Sequence, residues 1–299
     1  MSKMKIYYHS NDLDGLASGA LFKIKYPGAD MYPVDYGQPF PVDEINVADV
    51  VAIVDFCPDD FDIIEKIIEK ASILWLIDHH VTTREKADKH NLKRRLKKPS
   101  EFVTDSDEEK YAACELTYMW MHNTTKVPYY LTLLGRYDIW DHSDPNVLPF
   151  QYAARAWLDD PRKDLQKWKK LIYMPRSTDE KYMQGLIDKG KLIMEYVRKE
   201  HEKFAQNECF ELEFNGYKAL VVNRPYTGSK FFDSVYDPKK HDMVMSFGFN
   251  GKNWKVSMYS DKIDVSKIAT TYQGGGHQGA AGFTVDELPK EIEEALCQK

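Results

Sequence analysis

Asp78, His79 and His80 stand side by side at the end of the apolar run Leu74-Trp75-Leu76-Ile77. An acid beside two imidazoles can hold a metal ion or move a proton. Ile73 to Ile77 is short, aliphatic and aromatic, the pattern of a strand buried on both faces, so the polar triplet after it belongs outside the sheet. Two other strand-like runs end the same way. Lys5 to Tyr8 leads into His9-Ser10-Asn11-Asp12-Leu13-Asp14-Gly15, and Val50 to Val54 leads into Asp55. In an open α/β sheet ligands bind in the crevice beyond the carboxyl ends of the strands, so the repetition predicts one site.

The elements that must position these residues alternate in a βα rhythm. After the strand at Lys5, Gly15 to Lys25 reads as a helix closed by Pro27-Gly28, and Met31 to Asp35 as the next strand. Val50 to Asp55 follows, then a helix over Asp59 to Lys70 with Phe61, Ile63, Ile64, Ile67 and Ile68 on one stripe. Such alternation implies a parallel sheet with right-handed crossovers, whose strands all deliver their carboxyl ends to one edge. That edge collects His9, Asp12, Asp14, Asp55, Asp78, His79 and His80, with Asp12 and Asp14 on a loop.

From Glu109 to about Ile172 the pattern turns helical and aromatic, clearest at Tyr111 to His122 and Pro128 to Trp140. Asp138 and Asp141 lie there among apolar neighbours, where acids are paired or ligating. Ser177 with Glu180 has the spacing of a capping box, and a charged helical connector runs to about Asn207. Asn215-Gly216 and Asn250-Gly251 then mark hairpins, so a second, α+β domain begins near residue 208. Near its end comes Gly274-Gly275-Gly276-His277, followed by Ala280-Ala281-Gly282-Phe283. Consecutive glycines let backbone N–H groups approach an anion closely, which predicts phosphate binding. The expected fold is α/β: a parallel-sheet domain over residues 1–176, a helical linker over 177–207 and a smaller α+β domain over 208–299.

The 299 residues allow two domains of ordinary size, and 43% hydrophobic with 29% charged residues describes a globular protein. No apolar run approaches the ~20 residues needed to cross a bilayer, and no secretory leader opens the chain, so a cytoplasmic location is expected. Cys57, Cys114, Cys209 and Cys297 form no CxxC pair and read as free thiols. The net charge of −6 gives no general attraction to nucleic acid. Arg84 to Lys98 is a local basic run that would steer a phosphate-rich substrate or simply be a solvated helix face.

With both ends in view, the chain resembles the DHH phosphoesterase family, whose members join a DHH domain to a smaller DHH-associated domain. The resemblance rests on HSNDLDG at residues 9 to 15, Asp55, Asp78-His79-His80, Asp138, GGGH at 274 to 277 and AAGF at 280 to 283. It implies two divalent ions, Mn²⁺ or Mg²⁺: one held by His9 and Asp12, the other by Asp14, His79 and Asp138, with Asp55 bridging. His80 would face substrate, Asp78 would orient His79, and a metal-activated water would attack phosphorus. The glycine run with His277 would hold phosphate, and Asp55, Asp78, His79 and His80 would form the catalytic set.

The chain departs from the family pattern at three places. His9 stands three residues before Asp12, where several branches use four or two. Ser257-Met258-Tyr259 lacks the arginine of a Ser-x-Arg element, leaving Arg136, Arg224 or Lys230 to grip phosphate. Pro238-Lys239-Lys240 does not reproduce the Ser-Arg-Lys-Lys element of related pyrophosphatases. The compact HSNDLDG form looks most like the oligoribonuclease and cyclic-nucleotide phosphodiesterase branch. The implied function is hydrolysis of short oligonucleotides or (cyclic) nucleotides, the alternatives being a phosphoanhydride hydrolase and a non-catalytic nucleotide sensor. No stable protein partner is expected, and a homodimer stays open.

Overall fold

The computed structural model describes residues 3–105, 110–173, 176–225 and 227–297; the side chains of residues 176–179 and 277 lie outside the described set. Two compact units divide the chain, residues 1–194 and 195–299.

In the first unit β1 (Met4–His9), β2 (Asp30–Val34), β3 (Val50–Val54), β4 (Ile73–Ile77) and β5 (Glu101–Val103) form one sheet in the order β2-β1-β3-β4-β5. Every pairing is parallel. Along β1 the side chains alternate, Ile6 and Tyr8 to one face and Tyr7 to the other, and all three are buried. Helices cover both faces. α1 (Leu13–Lys25) and α5 (Ala113–His122) lie on one; α2 (Asp62–Lys70), α3 (Val81–Lys89) and α4 (Leu92–Arg95) lie on the other. Each fully buried Ile or Leu contributes about 1.5–3 kcal/mol, so apolar packing holds the strands whatever the acids at their ends do.

A helical layer follows: α6 (Tyr129–Asp138), α7 (Val147–Trp157), α8 (Leu165–Ile172) and the start of α9 (Arg176–Glu208). Leu21, Leu131, Leu134, Phe150, Trp168 and Leu186 form its core with α1. The boundary between the units falls inside α9. The Ser177 side chain of the expected capping box lies outside the described residues.

The second unit holds β6 (Phe210–Phe214), β7 (Tyr217–Asn223), β8 (Met243–Phe249), β9 (Trp254–Tyr259), α10 (Val265–Thr271), β10 (Gly275–His277), β11 (Ala280–Val285) and α11 (Lys290–Cys297). Its six strands run in the order β10-β11-β9-β8-β7-β6, with β7–β8 the one parallel pairing among them. The Asn215-Gly216 turn takes φ of 51° and 80°, the left-handed geometry of a tight hairpin. One face packs on α10 and α11 through Val265, Ile268 and Ile292; the other packs on Phe231, Phe232 and Ala205.

Two local expectations change. α1 begins at Leu13 rather than Gly15, because Asp12 caps it by accepting from the Gly15 amide at 2.9 Å. Asp14 therefore sits in the first helical turn and not on a loop. No helix among the described residues is long and apolar enough to cross a membrane.

Candidate metal centre

Five segments bring their polar ends to the carboxyl edge of the parallel sheet: the end of β1 with the α1 N-terminus, the residue after β2, the residue after β3, the triplet after β4, and the last residue of α6. Three overlapping groups of donors result among the described residues: His9 with Asp12 and Asp55, Asp14 with His79 and Asp138, and Asp55 with Asp78, His79 and His80. In the group of His9, His9 Nδ1 lies 2.8 Å from Asp12 Oδ2 and 3.5 Å from Asp55 Oδ2. In the group of Asp14, His79 Nε2 lies 3.1 Å from Asp138 Oδ2 and 3.9 Å from Asp14 Oδ2. Asp55 Oδ1 stands 3.5 Å from the same nitrogen, so the two oxygens of Asp55 face different groups.

Asp55 takes a left-handed φ of 55°, a conformation uncommon for a residue with a side chain. Its amide donates to Ile77 O at 2.9 Å and ties the turn to β4. Asp14 is held differently. Its two oxygens accept from the Cys114 amide at 2.7 Å and the Ala113 amide at 2.9 Å, the exposed donors at the N-terminus of α5.

The charge state follows from this crowding. Burial would lower the pKa of His9 and His79, but Asp12 and Asp55 raise the first to about 11, and Asp138 and Asp55 the second to about 12. Burial raises the carboxyls of Asp14 and Asp55, and neighbouring acids raise them further. Without a cation, protons must balance the acids. His9 Nδ1, Asp55 Oδ1 and His79 Nε2 are buried yet form no well-directed hydrogen bond, although opposite charges stand 2.8 to 3.5 Å away. Imidazole nitrogens and carboxylate oxygens that converge without a well-directed hydrogen bond suit a metal ion in place of the protons, and the mixed donors suit a hard or borderline divalent cation.

The remaining sequence-predicted residues fall less uniformly. Asp78 is fully buried and pairs with His80 rather than His79: its Oδ1 lies 2.7 Å from His80 Nδ1, and Thr83 Oγ1 donates to its Oδ2 at 2.5 Å. Residues i and i+2 on extended backbone point to the same side, which is why the nearer histidine is not the partner. Burial would raise the Asp78 carboxyl, but His80 and Thr83 hold it below the ordinary range, and Asp78 raises His80 in turn. Asp141 pairs with Arg136 Nε at 3.4 Å and stands apart from the donor groups. Arg136 precedes Asp138 by two positions, about 200° around the helix, and lines a pocket with Glu115 and Thr132.

In the second unit the glycine run is an edge strand, not an open loop. Gly275 pairs with Gly282, and Gly276 with Ala281. A side chain on Gly274 would meet Gly282 O at 2.2 Å, and one on Gly276, where φ is 141°, would meet Ala280 O at 2.5 Å. Those two glycines are required by the strand behind them; Gly275 alone faces open space. The side chain of His277 lies outside the described residues. The Arg224 guanidinium lies over the rings of Phe204 and Phe231, 5.2 Å from each centroid.

Asp35 is a residue that sequence reading missed. Its Oδ1 lies 3.3 Å from His9 Nε2 and accepts from the Tyr36 amide at 2.9 Å, while Oδ2 accepts from Asn11 Nδ2 at 2.5 Å. It fixes the ring that offers Nδ1 to Asp12 and Asp55, as carboxylates behind metal-binding histidines do.

Residues 234–298 match the DHHA1 domain. No curated protein matches the chain. Among solved structures, an uncharacterised protein from Helicobacter pylori G27 is similar over 100% of this chain and 99% of its own, at 15% identity and TM-score 0.44. A pGpG-specific phosphodiesterase, PggH, from Vibrio cholerae covers 99% and 98% at 15% identity and TM-score 0.46. An exopolyphosphatase-related protein from Bacteroides fragilis covers 99% and 91% at 13% identity and TM-score 0.48. The DHHA1 match lies C-terminal to the Asp78-His79-His80 set, which stands at the edge of the parallel sheet.

Proposed function

We propose that the chain is a DHH-family phosphoesterase, a divalent-metal-dependent phosphodiesterase acting on short oligonucleotides or (cyclic) nucleotides, with Mn²⁺ as its ion and Mg²⁺ as a substitute. The observation that carries the reading is Asp55, with one oxygen towards His9 and Asp12 and the other towards His79, Asp14 and Asp138. His9, Asp12 and Asp55 would hold one ion; Asp14, His79, Asp138 and Asp55 would hold the second. Bound there, two divalent ions would neutralise a phosphate ester and supply an activated water.

The chain's own groups do the rest. Asp35 orients His9, and the N-terminus of α5 orients Asp14. Asp78 engages Nδ1 of His80 and leaves Nε2 of this half-exposed histidine for substrate. Asp78 favours the charged form of His80, in which that nitrogen would donate to a phosphoryl or leaving-group oxygen. Gly274, Gly275, Gly276, His277 and Arg136 serve as phosphate-binding residues in this reading, with residues 1–176 catalytic, 177–207 connecting and 208–299 binding substrate. The protein would work in the cytoplasm.

The test is a panel of dinucleotides, cyclic nucleotides, pyrophosphate and polyphosphate offered to metal-stripped protein, with and without Mn²⁺. Mn²⁺-dependent cleavage of the phosphodiesters supports the proposal. Phosphate release from the anhydrides alone would make the chain a phosphoanhydride hydrolase. A melting shift with one nucleotide and no turnover would make it a sensor.

A further inference from the structure

An aromatic series runs from the core of the first unit to the rim of the donor cluster. The ring of buried Tyr7 lies 4.7 Å from Phe40, Phe40 stacks on Phe56 at 6.2 Å, and Phe56 packs 4.8 Å from Tyr36. Phe40 and Phe56 are 8% and 3% exposed, whereas Tyr36 is 40% exposed. The series ends at water with its last ring half covered. Tyr36 also meets the two histidines at the edge of the site, 5.5 Å from His9 and 6.3 Å from His80, both edge-to-face. These separations are those of ordinary aromatic pairs.

The tyrosine is not a loose surface ring. Asp35 accepts from the Tyr36 amide with the oxygen that faces His9, so one carboxylate fixes both the rim aromatic and the histidine beside it. An aromatic side chain costs little entropy to order, and here Phe56 and Asp35 already hold it.

We propose that Tyr36 stacks a base of the substrate, making the site selective for nucleotide esters over base-free phosphates. The inference rests on the phosphodiesterase reading and deepens it. A phosphate at the His9 and His80 side of the cluster would bring its attached nucleoside up to Tyr36, whose ring stands 5.5 Å from that of His9 and 6.3 Å from that of His80. A polyphosphate or pyrophosphate has no group for that surface. Stacking uses the π-face common to all bases, so the selectivity is for a base and not for a particular one.

The experiment compares a dinucleotide with the same sugar–phosphate skeleton lacking both bases, using wild type, Tyr36→Phe and Tyr36→Ala with Mn²⁺. Wild type and Tyr36→Phe should prefer the dinucleotide to a similar degree. In Tyr36→Ala the preference should shrink by roughly 5- to 150-fold, the scale of one base–aromatic stack, with the change in KM. Bound Mn²⁺, counted in the same samples, should be equal in all three proteins. An unchanged preference in Tyr36→Ala overturns the proposal, as does a parallel loss on both substrates with loss of Mn²⁺, which would make Tyr36 a support for His9. If wild type with Mn²⁺ cleaves neither this pair nor any cyclic nucleotide, the phosphodiesterase reading falls and this inference with it; cleavage by wild type with an undiminished preference in Tyr36→Ala overturns the inference alone.

Discussion

Asp78 Oδ1 lies 2.7 Å from Nδ1 of His80, and the same carboxylate takes the Thr83 hydroxyl on its other oxygen. This buried acid serves the histidine two positions on and leaves His79 to the donor group of Asp14 and Asp138. The adjacent histidines thus have different partners, and in the proposed function His79 would serve the ions and His80 the substrate.

Asp78→Asn should therefore lower kcat roughly 10- to 100-fold, the scale of losing an acid that orients a functional histidine, while Mn²⁺ stoichiometry stays at the wild-type value. The substitution removes the negative charge that raises His80, so the pKa of His80 falls. Activity that needs protonated His80 then fails at lower pH, and the alkaline limb of the kcat/KM profile should move to the acid side. A variant that loses metal while keeping the wild-type profile would return Asp78 to His79.

Stability without metal should fall as pH rises. His9 and His79, raised from 6.5 to about 11 and about 12, favour the fold in full below their unfolded value and lose that contribution as pH climbs towards the folded ones. The raised carboxyls of Asp14 and Asp55 act in the same sense, stabilising while protonated. Calorimetry of metal-stripped protein between about pH 7 and pH 9.5 should show a declining Tm, and saturating Mn²⁺ should remove most of the slope by taking the place of the protons. A flat metal-free Tm would contradict the charge state described.

Asp14 and Asp55 should separate in their effects on folding. Asp14→Ala deprives two buried amides at the head of α5 of their acceptor and should destabilise the protein by about 1–3 kcal/mol, read from urea unfolding. Asp55→Asn keeps a residue type that tolerates the left-handed φ of 55° and relieves like charge, so its metal-free Tm should equal or exceed wild type while activity is lost.

Much of this was legible in the sequence, for identifiable reasons. Strands buried on both faces read as continuous apolar runs, so β1, β3 and β4 and the polar residues at their ends stood out. β5 did not, because Glu101, Phe102 and Val103 are only half buried and make no run. The acid of a capping signature was visible in Asp12, three residues before Gly15, but reading it as a loop ligand hid the start of α1. Asp35 lies 26 positions from His9, and nothing local announces a contact made by chain crossover. Two glycines of the 274–276 run answer to the backbone of β11, a steric demand that only the strand pairing reveals.

Gly135 offers a test of how the helical layer positions Asp138. A methyl group there would lie 2.3 Å from Glu115 Oε2. Burial raises this carboxyl to about 7. Gly135→Ala should cost about 1–3 kcal/mol by overpacking and should weaken Mn²⁺ binding, because α6 carries Asp138 one turn further on. Wild-type stability and Mn²⁺ affinity would show that Asp138 is placed independently of this contact.

The bridging role proposed for Asp55 is tested most directly by electron paramagnetic resonance of the Mn²⁺-titrated protein, with bound ions counted in the same sample. Wild type should bind two Mn²⁺ per chain and give the exchange-coupled signal of a carboxylate-bridged pair, and Asp55→Ala should lose that coupled signal while remaining folded. A single Mn²⁺ per chain, two uncoupled ions in wild type, or an undiminished coupled signal in Asp55→Ala would contradict the two-ion site.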